Sequence, residues 1–316
     1  MDLEAFEVGF NIPAKVGMDV SEIQTPSLII DFKIFENNIK KMREFVLHNN
    51  VKLRPHAKMH KSIDVAKYQI DNGGAHGICC QKVSEAEIFA RAGIKDILIT
   101  NQITDAFKLD RLAKITSKEL KIGCCVDNDE NLINIQKAAE RNNSLIDIYI
   151  EYDCGANRCG IKSFNKINEM INMIQNMANL NFVGFQAYNG SIQHIEDYKI
   201  RQKEVKITCE KIRELKVNFI KYSPLITGVG TGCFELEVSE EVYDEIQVGS
   251  YAFMDAHYSS LKHDRKLNNS NNFENSLFVF TGVMSKALQN HAVVDAGLKS
   301  IAVDSGLPKT INSELE

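Results

Sequence analysis

Short apolar runs and amphipathic stretches take turns along the chain, the order expected of strands and helices in a parallel α/β fold. The run SLIIDF (27–32) is followed by a segment in which Phe35, Ile39, Met42 and Val46 recur at helical spacing and share one face. VKLRPHAK (51–58) leads to Ser62, a residue suited to capping a helix whose Val65 and Tyr68 face inward. HGICCQ, DILITN, KIGCCVD and IDIYIEYD read as the next strands, with helical stretches at 83–93, 104–116 and 129–142 between them. FVGFQAY, SPLITGVG and IQVGSYAF continue the series.

Counted from VKLRPHAK, the pattern yields eight strands over roughly 200 residues, against about 250 for a typical (β/α)8 barrel. A doubly wound sheet calls for a glycine-rich turn after its first strand, and here that strand ends in HAKMHK. The predicted fold class is therefore α/β, a (β/α)8 TIM-like barrel over residues 27–256, with 27–32 set to pair outside the barrel. From 257 the pattern changes. HDRKLNNSNNFEN reads as a loop, and LFVFTGVMS and HAVVDAGLKSIAVDSG alternate as strands. Residues 257–316 thus form a small, apparently incomplete C-terminal β domain with too few strands for a core of its own.

Composition narrows the function classes. With 44% hydrophobic and 25% charged residues among 316, the chain can bury a large core. A formal charge of −5 with scattered lysines excludes a nucleic-acid binder. No apolar run reaches the roughly 18 residues of a membrane span, and the acidic start MDLEAFEVGF is no secretory signal. A cytoplasmic protein is expected. The eight cysteines include the adjacent pairs Cys79–Cys80 and Cys124–Cys125, and none is spaced as CxxC; they read as small buried hydrophobes rather than metal ligands.

Four segments carry candidate chemistry. In LRPHAKMHKS (53–62), strand alternation puts Lys52, Arg54, His56 and Lys58 on one face, which in a barrel points inward and ends at the catalytic mouth. Desolvation among cations lowers an amine's pKa and frees it to attack a carbonyl, so Lys58 is the candidate Schiff-base lysine. In LITGVGTGCF (225–234), Gly228, Gly230 and Gly232 surround Thr231 after the seventh barrel strand, where barrels build phosphate sites. A lysine and a phosphate cradle together suit pyridoxal 5'-phosphate. IEYDCGANRCG (150–160) ends a strand with Asp153 and turns Arg158 toward the mouth, in reach of that cofactor's phenolic oxygen. FQAYNGSIQH (185–194) offers Tyr188 to pack on a ring and His194 as a general base. Gln81, Gln186 and Tyr251 complete a ring of polar groups at strand ends, and His60 is a second proton carrier beside Lys58. Each has a plainer alternative: a solvated loop histidine, an ion-paired arginine, a tight turn.

The stretches LRPHAKMHKS, GICCQKVSEAE, DILITNQ, DCGANRCG, AYNGSIQH and VVDAGLKSIAVDSGLP, in that order, resemble the pyridoxal-phosphate enzymes with the alanine racemase fold (fold type III), in the D-threonine aldolase and D-serine dehydratase branch. FEVGFNIPAKVGMDVSEIQTP and HGICCQKVSEAEIFARAGIKD are most similar to that branch's bacterial 3-hydroxy-D-aspartate aldolases. The resemblance implies a lyase that cleaves a D-configured β-hydroxy amino acid by a retro-aldol reaction. Cleavage of 3-hydroxy-D-aspartate to glycine and glyoxylate comes first, with D-threonine cleavage or D-serine dehydration as alternatives. It implies Lys58 as the cofactor-bearing lysine, Arg158 on the phenolic oxygen, and Gly228, Gly230 and Thr231 on the phosphate, with Val229 standing where the family's turn usually has glycine. It also implies a homodimer with a small-molecule amino-acid substrate, and a divalent metal (Mg2+ or Mn2+) held by a His-Cys-Asp segment beyond Glu316. No metal ligand is assigned within the chain, so a pyridoxal-phosphate-binding barrel without turnover is the alternative of another class.

Overall fold

The computed structural model describes residues 14–116, 119–261 and 273–311. Positions 6–13 of the N-terminal segment, 263–272 of the polar loop and 312–316 lie outside the described residues. After β1 (Ser27–Ile30) and α1 (Phe32–His48), eight parallel strands follow. They are β2 (Lys52–Leu53), β3 (Ile78–Cys80), β4 (Asp96–Ile99), β5 (Lys121–Val126), β6 (Ile146–Glu151), β7 (Leu180–Ala187), β8 (Leu225–Gly228) and β9 (Glu245–Ile246). Neighbours follow chain order from β3 to β9, and β2 pairs with β9. Bridges Leu53 to Ala75 and His56 to Cys79 bring β2 back against β3 and close the barrel. This is the (β/α)8 order, not the reversed order of a doubly wound sheet.

The helices α2 (Ile63–Asp71), α3 (Val83–Arg91), α4 (Ala106–Ile115), α5 (Asp129–Arg141), α6 (Phe164–Gln175), α7 (Tyr198–Asn218) and α8 (Phe234–Ser239) alternate with these strands. Local chemistry starts most of them. Asp31 accepts the Ile34 N–H ahead of α1, whose buried face is Phe35, Asn38, Ile39, Met42 and Val46. Ser62 accepts the Val65 N–H and caps α2. The buried positions of α2 are Ala66 and Gln69, while Val65 and Tyr68 are only half-buried. Tyr68 instead lays its ring against Phe35 and donates its hydroxyl to Glu36 of α1 at 2.5 Å.

Two barrel strands are shorter than the apolar pattern implies. Pro55 has no N–H to donate, and the chain after it coils into a 3-10 turn at Ala57–Met59. The segment at 246–253 leaves the sheet at Ile246 because Gly249 packs on the His56 carbonyl, where a Cβ would stand 2.7 Å from that oxygen.

The barrel interior holds Cys79, Leu98, Cys125 and Tyr149 as an apolar layer. Gly123 leaves room for the Tyr149 ring, which would lie 2.9 Å from a Cβ there. Beside this layer, Arg54 is 4% exposed and bonds Asp96 and, at 2.9 Å, Glu245; His76 Nε2 lies 2.9 Å from Glu245 Oε2. Burial alone would raise the Glu245 carboxyl, but Arg54, His76 and Thr227 bring it down to about 2. Ionised Glu245 therefore stabilises the fold fully above its unfolded pKa near 4.5, and that contribution is lost as pH falls toward 2.

β1 does not join the barrel; it pairs antiparallel with β10 (Leu277–Phe280), Ser27 opposite Phe280. β11 (Val283–Ser285) and β12 (Val293–Val294) form a second antiparallel pair, and Asp295 ties Thr25, Thr281 and the Gly282 N–H together. Along this C-terminal part Val283, Met284, Leu288, Leu298 and Leu307 are exposed. Among the described residues no helix is long and apolar enough to cross a membrane.

Arg54→Met should leave the buried Glu245 and the half-buried Asp96 without their cation and cost about 3–5 kcal/mol in urea-induced unfolding. A loss below about 1 kcal/mol would show that the cluster does not hold the barrel closed.

Candidate active site

The chain from Arg54 to Lys58 runs out of the barrel interior to its C-terminal mouth. His56 is the last inward side chain: its Nε2 lies 3.0 Å from Thr100 Oγ1 and its Nδ1 accepts the Lys58 N–H at 3.2 Å. That second bond caps the 3-10 turn, so strand alternation ends at Ala57 and the turn sets Lys58 in the mouth, where it is accessible. Burial first, then the charges of Lys58 and His60, push His56 down to about 3 and keep it neutral.

Desolvation and the nearby Arg158 charge lower the Lys58 pKa. The responsible cation is not Arg54, as the strand pattern suggests, because Glu245 and Asp96 neutralise that guanidinium inside the barrel.

Tyr188, just past β7, gathers the site. Lys58 Nζ lies 5.9 Å and Arg158 Cζ 6.0 Å from its ring centroid. Arg158 comes from a turn built by Asp153, whose Oδ1 accepts the Gly155 and Asn157 N–H groups at 3.0 Å each. The guanidinium then lies 3.3 Å from Glu151 at the end of β6, and Glu151 accepts Gln102 at 2.5 Å. Burial raises the Glu151 carboxyl above the usual range. Glu151 and Gln102 escaped the sequence reading. The signal was there for Glu151, because alternation in IEYD places it on the face of Asp153.

The turn after β8 is tightly constrained. A Cβ at Gly230 would meet Gln193 Oε1 at 2.4 Å, one at Gly232 the Gln193 carbonyl at 1.9 Å, and one at Gly228 the Ala187 carbonyl at 2.2 Å. These glycines let the turn lie against 187–193, and Val229 between them takes φ 73°, in the left-handed region. The Gly230 N–H donates to buried Glu237 at 3.3 Å, and Gly228 sits in the sheet ladder opposite Ala187. The N–H groups of Thr231 and Gly232 donate to no acceptor among the described residues. Thr231 and Gly232 thus keep N–H groups that could hold a phosphate, while the Gly230 N–H already has an acceptor in Glu237.

The other candidates scatter. Gln186 is buried in the barrel, its amide exchanging bonds with Gln247 at 3.1 and 2.7 Å. Tyr251 is fully buried and accepts Gln69 at 3.0 Å. His60 stands four residues from His56 without converging on it: its Nδ1 accepts the Ser62 N–H, and burial lowers it to about 4. Gln81 is exposed and lines a cavity of about 200 Å³ with Gln102 and Lys82. His194 is exposed and stacks on His257 and Tyr258, ring centroids 4.3 and 4.7 Å away, with its pKa lowered by partial burial and by His257. Among the described residues no group of three or more His, Cys, Asp or Glu side chains could hold a metal ion.

A closed parallel barrel with a desolvated lysine, an ion-paired arginine and free backbone donors at its mouth defines a class, and residues 30–257 match the alanine racemase N-terminal domain; the chain belongs to that family. It is 43% identical over 313 residues to the 3-hydroxy-D-aspartate aldolase of Paracoccus denitrificans (strain Pd 1222), covering 97% of this chain and 80% of that one. It is 38% identical to the D-threonine aldolase of an Arthrobacter species, covering 94% and 77%. The crystal structure of D-threonine aldolase from Filomicrobium marinum superposes with a TM-score of 0.90 at 34% identity, covering 96% of this chain and 80% of that one.

Removing the Arg158 charge removes one cause of the depressed Lys58 pKa. In Arg158→Met the pH midpoint for labelling of Lys58 by trinitrobenzenesulfonate, followed by peptide mapping, should move to higher pH. An unmoved midpoint would assign the depression to burial alone.

Proposed function

We propose that this chain is a pyridoxal-phosphate-dependent carbon–carbon lyase that cleaves 3-hydroxy-D-aspartate to glycine and glyoxylate. The observation that carries the reading is the placement of Lys58 and Arg158 on one tyrosine ring, beside a turn with two free N–H groups. Similarity to the Paracoccus denitrificans aldolase supports the substrate.

The residues present fit the cofactor. Lys58, with its pKa lowered by desolvation and by Arg158, offers an aldehyde a larger share of neutral Nζ than an ordinary lysine does. Thr231 and Gly232 would hold the phosphate, and Tyr188 would flank the ring. Arg158, kept charged by Glu151, would face the phenolic oxygen. When bound, the cofactor supplies an electron sink for the charge left on Cα as the Cα–Cβ bond breaks.

The chain's own task is proton movement. His194, neutral because its pKa is lowered, takes the proton from the substrate's β-hydroxyl oxygen as the aldehyde product forms. Lys58 Nζ, once it has taken up the proton of the incoming substrate's ammonium group, is then the better donor to Cα, since His60 has its Nδ1 engaged by the Ser62 N–H.

Purified protein with pyridoxal phosphate should release glyoxylate from D-threo- or D-erythro-3-hydroxyaspartate, and His194→Ala should lower kcat by about 10²–10⁴-fold. Acetaldehyde from D-threonine or pyruvate from D-serine as the main product would move the substrate assignment. Bound cofactor without product from any of them would contradict the lyase.

A further inference from the structure

The phosphate turn rests on a carboxyl group that the mechanism does not use. Glu237 reaches back from α8 and is fully buried. Its Oε2 accepts the Gly230 N–H at 3.3 Å and Gln193 Nε2 at 3.2 Å, and Tyr243 Oη lies 3.4 Å from its Oε1. Tyr243 also donates to the Ala187 carbonyl at 3.0 Å, directly before Tyr188. One side chain thus joins the two halves of the proposed cofactor site, the turn after β8 and the end of β7.

Among the described residues, burial and hydrogen bonds from Gln193, Gly230 and Tyr243 set the titration of this acid, with no cation among the causes. The titratable groups that face it are Tyr243, Cys154, Cys209, Cys233, Tyr188 and Tyr258, all neutral near pH 7 and all raised by it. Two cations of α7 approach those neighbours, Arg201 near Cys233 and Lys211 on the Cys154 carbonyl. Burial raises its carboxyl to about 7. A protonated Oε1 can donate to the Tyr243 oxygen, whose own O–H donates to the Ala187 carbonyl. The buried Oε1 of Gln193, which has no hydrogen-bond partner among the described residues, offers a second acceptor beside the acid.

Resting on the assignment of the turn as the phosphate site, we infer that Glu237 is its positioning residue, acting as a neutral acid that fixes Gly230 and leaves the Thr231 and Gly232 donors free for a phosphate dianion. An ionised Glu237 opposes that dianion through the same turn. Phosphate affinity is therefore highest below the pKa of Glu237 and falls as pH rises through it, beyond the phosphate's own titration.

The test is equilibrium binding of pyridoxal phosphate and of pyridoxal to the apo-protein from pH 5.5 to 8.5, read by cofactor absorbance and protein fluorescence. The ratio of the two affinities isolates the phosphate. In wild type that ratio should fall from pH 6 to pH 8. Glu237→Gln, which keeps the shape without the charge, should flatten the fall while staying within about threefold of wild type at pH 6. Glu237→Ala should weaken pyridoxal phosphate by about tenfold or more at every pH and pyridoxal far less. A Glu237→Gln profile that falls as steeply as wild type overturns the neutral-acid role. Equal losses for both ligands in Glu237→Ala overturn the positioning role. Wild-type protein that binds neither ligand overturns the site assignment itself, and the inference with it.

Discussion

The buried guanidinium of Arg54 is the interaction on which the rest depends. A barrel of parallel strands is only as sound as its seam, and here the strand at the seam, β2, contributes two residues to the sheet. Arg54, next in sequence, reaches Asp96 on β4 and Glu245 on β9, with His76 from the approach to β3 beside them. Side chains drawn from four segments around the barrel thus converge where backbone pairing is thinnest. A buried cluster of this kind need not add net stability over a packed apolar core, but it makes any single loss costly and holds β2 in one register.

That register reaches the mouth within four residues. Once Arg54 is fixed, His56 falls into the barrel against Thr100, and its ring nitrogen starts the turn that carries Lys58. The same logic recurs on the opposite side, where Asp153 folds the turn that sends Arg158 back to Glu151. Reactive groups on loops are thereby placed by bonds to strand ends, which gives them the precision of the barrel. Arg158 then acts on Lys58 through charge and on Tyr188 through its ring.

Much of this was legible from residue order. The apolar periods located the strands and helices, and the basic end of LRPHAKMHKS and the glycines of LITGVGTGCF marked the mouth side. The α1 face was readable because its apolar positions repeat at 3.6 residues over 17, whereas the nine residues of α2 leave Tyr68 free to follow α1. The roles of Arg54 and Gln186 were not legible, because their partners Glu245 and Gln247 lie far along the chain and pattern says nothing of pairing. Gly230 illustrates the same limit. Its presence marks a tight turn, but only the packing against Gln193 and the bond to Glu237 show that its N–H is already engaged.

The central claim is that Lys58, among the chain's many lysines, is the one the fold prepares for an aldehyde. Incubating the protein with pyridoxal phosphate, reducing with borohydride and mapping the peptides tests it most directly. The account predicts a single pyridoxyl label on Lys58, lost in Lys58→Ala without relocation to Lys61 or Lys82. Labelling spread over several surface lysines, or retained in Lys58→Ala, would contradict it.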